Sequence, residues 1–309
     1  MDAADRELFG QSLRQVTARH TGAALDAELD ALGWPDALAS DPADAVALLF
    51  EQQGAANATS GALDLVLAGA LGVEGAVVLP GLGRHDPPGL TSGGRVTVTG
   101  LGTTALGRAD RVVVATADGA LTVESSDLTR RPVEGIDPAL GLVEVRGTGV
   151  DAGPASPADW EAAAAAGQRA LAHELVGASR TMLQLARDHA VDRIQFGRPI
   201  ASFQAVRHRL AEGLVAVEAA DGALAAAWED GTPMAAALAK AIAGRTGRTV
   251  ARHAQQVLAG IGFTTEHPLH DHVRRVIVLD RLLGDHHTLT RELGEQLLET
   301  RTIPDLLPL

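Results

Sequence analysis

Between Arg187 and Glu212 the chain reads RDHAVDRIQFGRPIASFQAVRHRLAE, which gathers several unlike chemical groups within a few positions. Arg193 offers a guanidinium fork, Gln195 an amide, Phe196 an aromatic face, and Gly197 a backbone that a ligand can approach closely. Such a set suits a phosphate joined to a flat heterocycle. Leu183, Ala186, Ala190 and Val191 recur at helical spacing before it, and Phe203, Val206 and Leu210 resume the stripe after it. The phase breaks at Gly197-Arg198-Pro199, so the chemistry sits on a tight joint between two helices. Taken singly, Phe196, Ile200 and Phe203 also read as core, and Arg193 as a solvated charge.

A second segment, His253-Ala254-Gln255-Gln256-Val257-Leu258-Ala259-Gly260-Ile261-Gly262-Phe263, ends a helical pattern in glycines. A helix stopping at Ala259-Gly260 leaves backbone groups bare and lets a ligand come near, although Gly260 and Gly262 also suit a plain helix stop. His267, His270, His272, His286 and His287 cluster further on, without the i, i+4 pairing and third ligand of a zinc helix. No metal site is expected. A Gly-x-Ser-x-Gly elbow is missing too, which leaves no basis for a nucleophilic triad.

The elements that must hold these segments follow from period and punctuation. The expected fold class is α+β, mostly α. Residues 1–72 read as helices, with stripes such as Leu25, Leu29 and Leu32 before the Gly33-Trp34-Pro35 break. From 73 to 152 the period shortens to β-rich runs such as Arg95–Val98 and Arg111–Val114, a small β domain. Gly153–Pro157 reads as a linker, with Ser156 as N-cap and Pro157 at the first helical position. Residues 153–309 form a helical bundle broken at 197–199, 231–233 and 260–262. The formal charge of −13 in 309 residues argues against nucleic acid as a partner. No apolar run is long and clean enough to span a bilayer, the acidic start is unlike a signal peptide, and cysteine is absent. These features lead to the expectation of a cytoplasmic protein.

The Arg193-x-Gln-Phe-Gly-x-Pro-Ile-x-x-Phe-Gln-x-x-x-His-x-Leu-Ala run closely resembles the signature of the C-terminal helical domain of acyl-CoA dehydrogenases. The 253–269 segment is similar to a second family motif, with Ala259 replacing one glycine. Helices, β domain and bundle also follow that family's order. The resemblance implies that Arg193, Gln195, Phe196, Ile200, Phe203, Gln204, Gln256 and Gly260 hold the adenine and pyrophosphate end of an FAD. The flavin ring of that FAD would lie in a neighbouring subunit.

Two departures qualify the resemblance. The family's α-proton base is a glutamate, and the pattern through Arg274–Asp285 puts Leu283 at its position; an alternative family position falls near Gly167. Glu174 and Asp285 are the nearest acids, and both also read as ordinary polar positions. The family's flavin-gripping Thr-Glu-Pro segment is absent, there is no tyrosine, and Trp34, Trp160 and Trp228 lie outside the β runs. The catalytic residues are therefore unassigned. The resemblance implies a short subunit of an α2β2-type bacterial acyl-CoA dehydrogenase acting on a bulky, steroid-type acyl-CoA, with FAD shared with a homologous full-length partner. The rival readings are a self-sufficient dehydrogenase using Glu174 or Asp285, and a non-catalytic protein on the same fold. The motifs do not specify the electron acceptor.

Overall fold

The computed structural model describes residues 1–153 and 155–301. Five helices come first: α1 (Ala3–Arg19), α2 (Ala23–Ala31), α3 (Trp34–Ser40), α4 (Pro42–Ala56) and α5 (Ala62–Leu71). Asp2 and Asp41 cap α1 and α4 by accepting from the backbone N–H of Asp5 and Asp44, and Pro42 starts α4 where no N–H is needed. Leu13, Leu25, Trp34, Leu49 and Phe50 are fully buried in a core that continues from these helices into the bundle.

Seven strands follow: β1 (Ala76–Val77), β2 (Gly89–Ser92), β3 (Arg95–Gly102), β4 (Arg111–Thr116), β5 (Gly119–Glu124), β6 (Thr129–Pro132) and β7 (Val143–Asp151). They form one sheet in the order β1-β4-β5 and another in the order β2-β3-β7-β6. Val78, Val96, Val98, Val112, Val114 and Val145 fill the small core between them, the alternate positions of each strand turning inward. Asp64 on α5 ties this region to the helices, accepting from the Val77 N–H at 2.9 Å and from the Thr103 hydroxyl at 2.5 Å. Burial pushes its carboxyl up to about 6.

The remainder is the bundle: α6 (Trp160–Asp192), a hairpin of β8 (Ile194–Gln195) and β9 (Arg198–Pro199), α7 (Gln204–Asp230), α8 (Pro233–Leu258), α9 (Leu269–Leu279) and α10 (His286–Thr300). The expected cap at Ser156 is not formed. Ser156 exchanges backbone bonds with Ala120, and α6 starts three residues after the expected position with Asp159 capping Ala162. Strand pairing outbids the local capping signal there. Pro154 in that linker lies outside the described residues.

Two features lock the regions together. Where α4 crosses α6, a methyl at Gly54 would run into the Glu174 carbonyl oxygen, and one at Gly177 into the Glu51 carbonyl oxygen. The helices touch backbone to backbone, which only glycine allows. On α9, Arg275 is 0% exposed. Its guanidinium donates to Asp137 at 2.5 Å, to the Ala58 carbonyl at 2.7 Å and to the Thr59 hydroxyl at 3.3 Å. One side chain thereby joins the bundle, the N-terminal helices and the β region.

The α4–α6 crossing predicts that Gly177→Ala is costly, because the added methyl meets main chain that cannot rotate away. Overpacking of this kind costs about 1–3 kcal/mol. Thermal denaturation measures it, and an unchanged melting temperature would show that α4 shifts freely.

Candidate functional site

The chain runs up α6, back down α7 and up α8, so the C-terminus of α6, the N-terminus of α7 and the C-terminus of α8 share one end of the bundle. His253 on α8 lies 3.2 Å from Arg209 and from Glu212 on α7, which fixes that register. Both sequence motifs therefore meet at the same end.

The first is a two-residue hairpin turn. Ile194 pairs with Pro199 and Gln195 with Arg198, and the Ile200 N–H donates to the Arg193 carbonyl at 2.8 Å. Phe196 and Gly197 form the turn with φ of +52° and +77°. Both central residues at positive φ match the hairpin turn usually filled by Asn-Gly. A phenylalanine there is held in a conformation that bulky side chains avoid. Its ring is also 91% exposed. The edge of Phe203 is its ring neighbour, with centroids 6.2 Å apart at 90°, and the Arg198 guanidinium lies 4.3 Å from the Phe203 centroid. Arg198 was not among the residues singled out from the sequence, where only its proximity to two aromatics signalled a role. The core alternative fails for Phe196, while Ile200 packs half-buried against the core and Phe203 is half-buried. Val191, placed on the apolar stripe by its spacing, is 52% exposed near the end of α6. Arg193, Gln195 and Gln204 are exposed, and Arg193 has no ion pair among the described residues.

The second motif follows α8. Gln256 is exposed, and a methyl on Gly260 would meet nothing within 4 Å. Ala259 has φ +53° and ψ −133°, a backbone state that normally needs glycine. A free guanidinium, an uncovered aromatic and open glycine backbone fit the adenine and pyrophosphate end of a dinucleotide.

At the opposite end of the bundle lies the turn between α9 and α10. Leu283 stands there with φ +53°, followed by Gly284 at +95°. The turn is braced: Gln168 donates to the Leu283 carbonyl at 3.0 Å, and Lys240 to the Asp280 and Gly284 carbonyls at 3.0 and 3.2 Å. Lys240 is the only lysine of the chain. It is fully buried, and burial brings its ammonium down to about 8. A methyl at Gly167 would lie 2.5 Å from Leu283 Cδ1 and 2.9 Å from Leu67 Cδ2. The two positions that the family resemblance gives to a base thus converge in space, and both are apolar. Gly167 and Arg193 are 26 residues apart on one helix, about 39 Å at ~1.5 Å per residue.

The two acids considered from sequence have other occupations. Asp285 caps α10, accepting from the His287 and Thr288 N–H at 3.0 Å each. Partial burial works to raise its pKa, but those bonds and Arg281 outweigh it and hold the carboxyl below the usual range. Glu174 is buried, with Oε1 3.8 Å from Arg275 and lacking a hydrogen-bond partner. Burial pushes it up to about 7, although Arg275 and Gln53 draw it down. Among the described residues no three His, Cys, Asp or Glu side chains are placed to hold a metal ion.

Beside the Leu283 turn opens a cleft of about 1080 Å³, reached by Gln168. Leu238, Leu289 and Leu293 contribute apolar wall, and Asp86, Glu161, Glu229, Asp230 and Glu292 the charge. No arginine or lysine is among its lining residues. The sequence alone did not reveal this clustering, because the five acids come from four separate segments.

Two outcomes are expected. Glu174 has a folded pKa raised above its unfolded value, so the stability it contributes is complete below about pH 4.5 and lost as pH rises through about 7. Glu174→Gln removes that loss, and melting curves from pH 5 to 8.5 should flatten relative to the parent; an identical pH profile would place the titration elsewhere. Ala259→Gly should relieve backbone strain and stabilise the chain by about 1 kcal/mol. A lower melting temperature would mean that the turn is unstrained.

The chain is similar to known proteins in sequence and in fold. Residues 162–298 match the acyl-CoA dehydrogenase C-terminal domain. Acyl-CoA dehydrogenase IpdE2 of Mycobacterium tuberculosis is 33% identical over 189 residues, 61% of this chain and 58% of that protein. FadE34 of the same organism, also an acyl-CoA dehydrogenase, is 44% identical over 121 residues, 37% of this chain and 17% of its own length. The chain thus spans less than two thirds of these curated relatives. Its fold superposes on a variant of the steroid ACAD Tcur3481-Tcur3483 with a TM-score of 0.82 at 22% identity, covering 96% of this chain and 99% of that one. The ChsE4-ChsE5 complex of Mycobacterium tuberculosis gives 0.78 at 23%, covering 99% of both chains. Residues 162–298 thus carry the acyl-CoA dehydrogenase C-terminal domain, and the chain as a whole has the fold of these structural neighbours.

Proposed function

We propose that this chain is a subunit of an FAD-dependent acyl-CoA dehydrogenase assembly that leaves proton abstraction to a homologous full-length partner. FAD is the family's cofactor, and when bound it supplies the acceptor for the hydride that leaves the substrate's β-carbon. Arg193, Gln195, Phe196, Ile200, Phe203, Gln204, Gln256 and Gly260 of this chain bind the adenine and pyrophosphate end. Arg193 carries the phosphate charge, the strained Phe196 ring covers the heterocycle, and Gly260 admits the backbone. The observation that carries the reading is the separation of the two ends. The exposed half-site stands about 39 Å of helix from the Leu283 turn, too far for one dinucleotide within this chain to reach both. A half-site so placed serves a flavin presented from outside.

Leu283 and Gly167 support the second part, since neither side chain can take a proton and their mutual packing leaves no room for one that could. Glu174 and Asp285 are engaged with Arg275 and the α10 cap, which disfavours a self-sufficient dehydrogenase. The cleft adds an electrostatic argument. Coenzyme A carries several phosphate charges, and a cleft lined by five carboxylates, of which only Asp86 and Glu292 pair with arginines, repels it. Substrate binding accordingly falls to the partner. The reaction of the assembly is α,β-dehydrogenation of an acyl-CoA thioester, in an α2β2 arrangement. A bulky steroid-derived acyl group is the proposed substrate, in keeping with the steroid ACAD among the structural neighbours.

Co-expression with a homologous full-length dehydrogenase encoded beside it tests this. A yellow complex with fewer FAD molecules than protein chains is expected. Arg193→Ala should lower FAD retention at least tenfold without unfolding the chain, because stranding a buried phosphate charge costs about 2–5 kcal/mol. One FAD per chain in this protein purified alone would overturn the assignment.

A further inference from the structure

We infer that the cleft beside the Leu283 turn binds an elongated apolar molecule with an ammonium at one end and a neutral hydrogen-bond donor at the other. The carboxylates that repel coenzyme A attract a cation. Of the five in the lining, Asp86 pairs with Arg84, and Glu292 with His85 and Arg291. Glu161, Glu229 and Asp230 have no ion pair among the described residues. Glu229 and Asp230 also sit in the last turn of α7, which has no basic residue. The backbone carbonyls there carry partial negative charge, so acids at that end are unfavourable until a cation joins them. Thr232 holds the Asp230 carboxyl below the usual range by hydrogen bonding, its N–H donating at 3.0 Å.

Gln168 points to a ligand independently of charge. It is 4% exposed, yet it lines the cleft. Its Nε2 donates to the Leu283 carbonyl at 3.0 Å, while its Oε1 has no hydrogen bond among the described residues. A buried acceptor without a donor is costly, and a ligand hydroxyl or amide N–H satisfies it. Glu161, Ala164 and Gln168 stand at i, i+3 and i+7 along α6, so they share one wall of the cleft. Seven residues of helix separate the carboxylate from the amide by about 10 Å. Met234, Leu238, Leu289 and Leu293 make the remaining lining apolar. Trp160, whose Nε1 donates to the His85 carbonyl at 2.7 Å, adds an aromatic surface of the kind that attracts an ammonium. The inner end disfavours a second positive charge. Lys240 holds the Asp280 and Gly284 carbonyls of the same turn that Gln168 braces, so its ammonium is close by. The donor at that end is therefore neutral. Apolar walls with a few polar groups at fixed places, in a cleft of about 1080 Å³, have the make-up of a small-molecule site.

The test titrates the intact chain with 8-aminooctan-1-ol, whose extended ends match that separation, by isothermal titration calorimetry at pH 7.5 and 50 mM salt. One molecule per chain is expected, bound at least tenfold more tightly than 1,8-octanediol or 8-hydroxyoctanoate, with affinity falling at 500 mM salt. Octylamine, which lacks the hydroxyl, should bind about threefold more weakly than the amino alcohol. Glu161→Gln with Glu229→Gln removes two unpaired carboxylates without breaking a hydrogen bond. That variant should bind the amino alcohol at least tenfold more weakly while its melting temperature holds. Equal binding of the diol, tighter binding of the hydroxy acid, normal binding by the double variant, or no binding of the amino alcohol would overturn the inference. A lysine-rich peptide that binds more tightly than the amino alcohol would assign the cleft to a protein and overturn it as well. None of these readouts involves FAD, so failure of the half-site proposal leaves them unchanged.

Discussion

The buried guanidinium of Arg275 is the contact on which the arrangement of the molecule depends. It reaches from α9 to Asp137 in the β region and to Ala58 and Thr59 beyond α4, and so joins three stretches far apart in sequence. A buried cation is tolerable only when its donors are used and its charge is balanced. Asp137 supplies the balance, and Glu174, 3.8 Å away, adds a second carboxyl where one already suffices. Burial then favours the protonated form of Glu174 at moderate pH. The elevated pKa of this glutamate, a feature often associated with active sites, has a structural origin here.

Backbone strain marks both ends of the bundle. Phe196, Ala259 and Leu283 all adopt positive φ, each for a different reason. At Phe196 the turn throws an aromatic ring into the open, a cost recovered only when something covers the ring. Alanine at 259 occupies a backbone path shaped for glycine, so the path is set by the surrounding helix ends and the residue complies. At Leu283 the turn is braced by Lys240 and Gln168, and the side chain is folded inward over Gly167.

Charge is distributed to match. Carboxylates gather around the cleft beside Leu283, and arginines without an ion pair among the described residues line α8 towards the Arg193–Gly197 hairpin. One end of the bundle repels phosphates and the other attracts them. The net charge of −13 conceals this polarity, because it averages two opposite patches.

The order of helices, β region and bundle was legible in the sequence, since the period of apolar residues reports which face each element buries. The Arg193–Gly197 and Gln256–Gly260 motifs were legible for a related reason: their residues lie close together in the chain, and glycine and arginine at fixed spacing carry a local mechanism. Leu283 could be identified as a position without a carboxylate by alignment to a pattern. Other features could not be read that way. The cap expected at Ser156 gave way to a bridge with Ala120, because strand pairing depends on a residue some 36 positions away. Exposure of Phe196, convergence of Gly167 on Leu283, the role of Arg275 and the acidic rim of the cleft all require residues distant in sequence to meet. Sequence by itself determined the local chemistry of each segment. Only the tertiary structure decided which segments share an end of the bundle, because helix length and antiparallel packing, which no single motif encodes, set those distances.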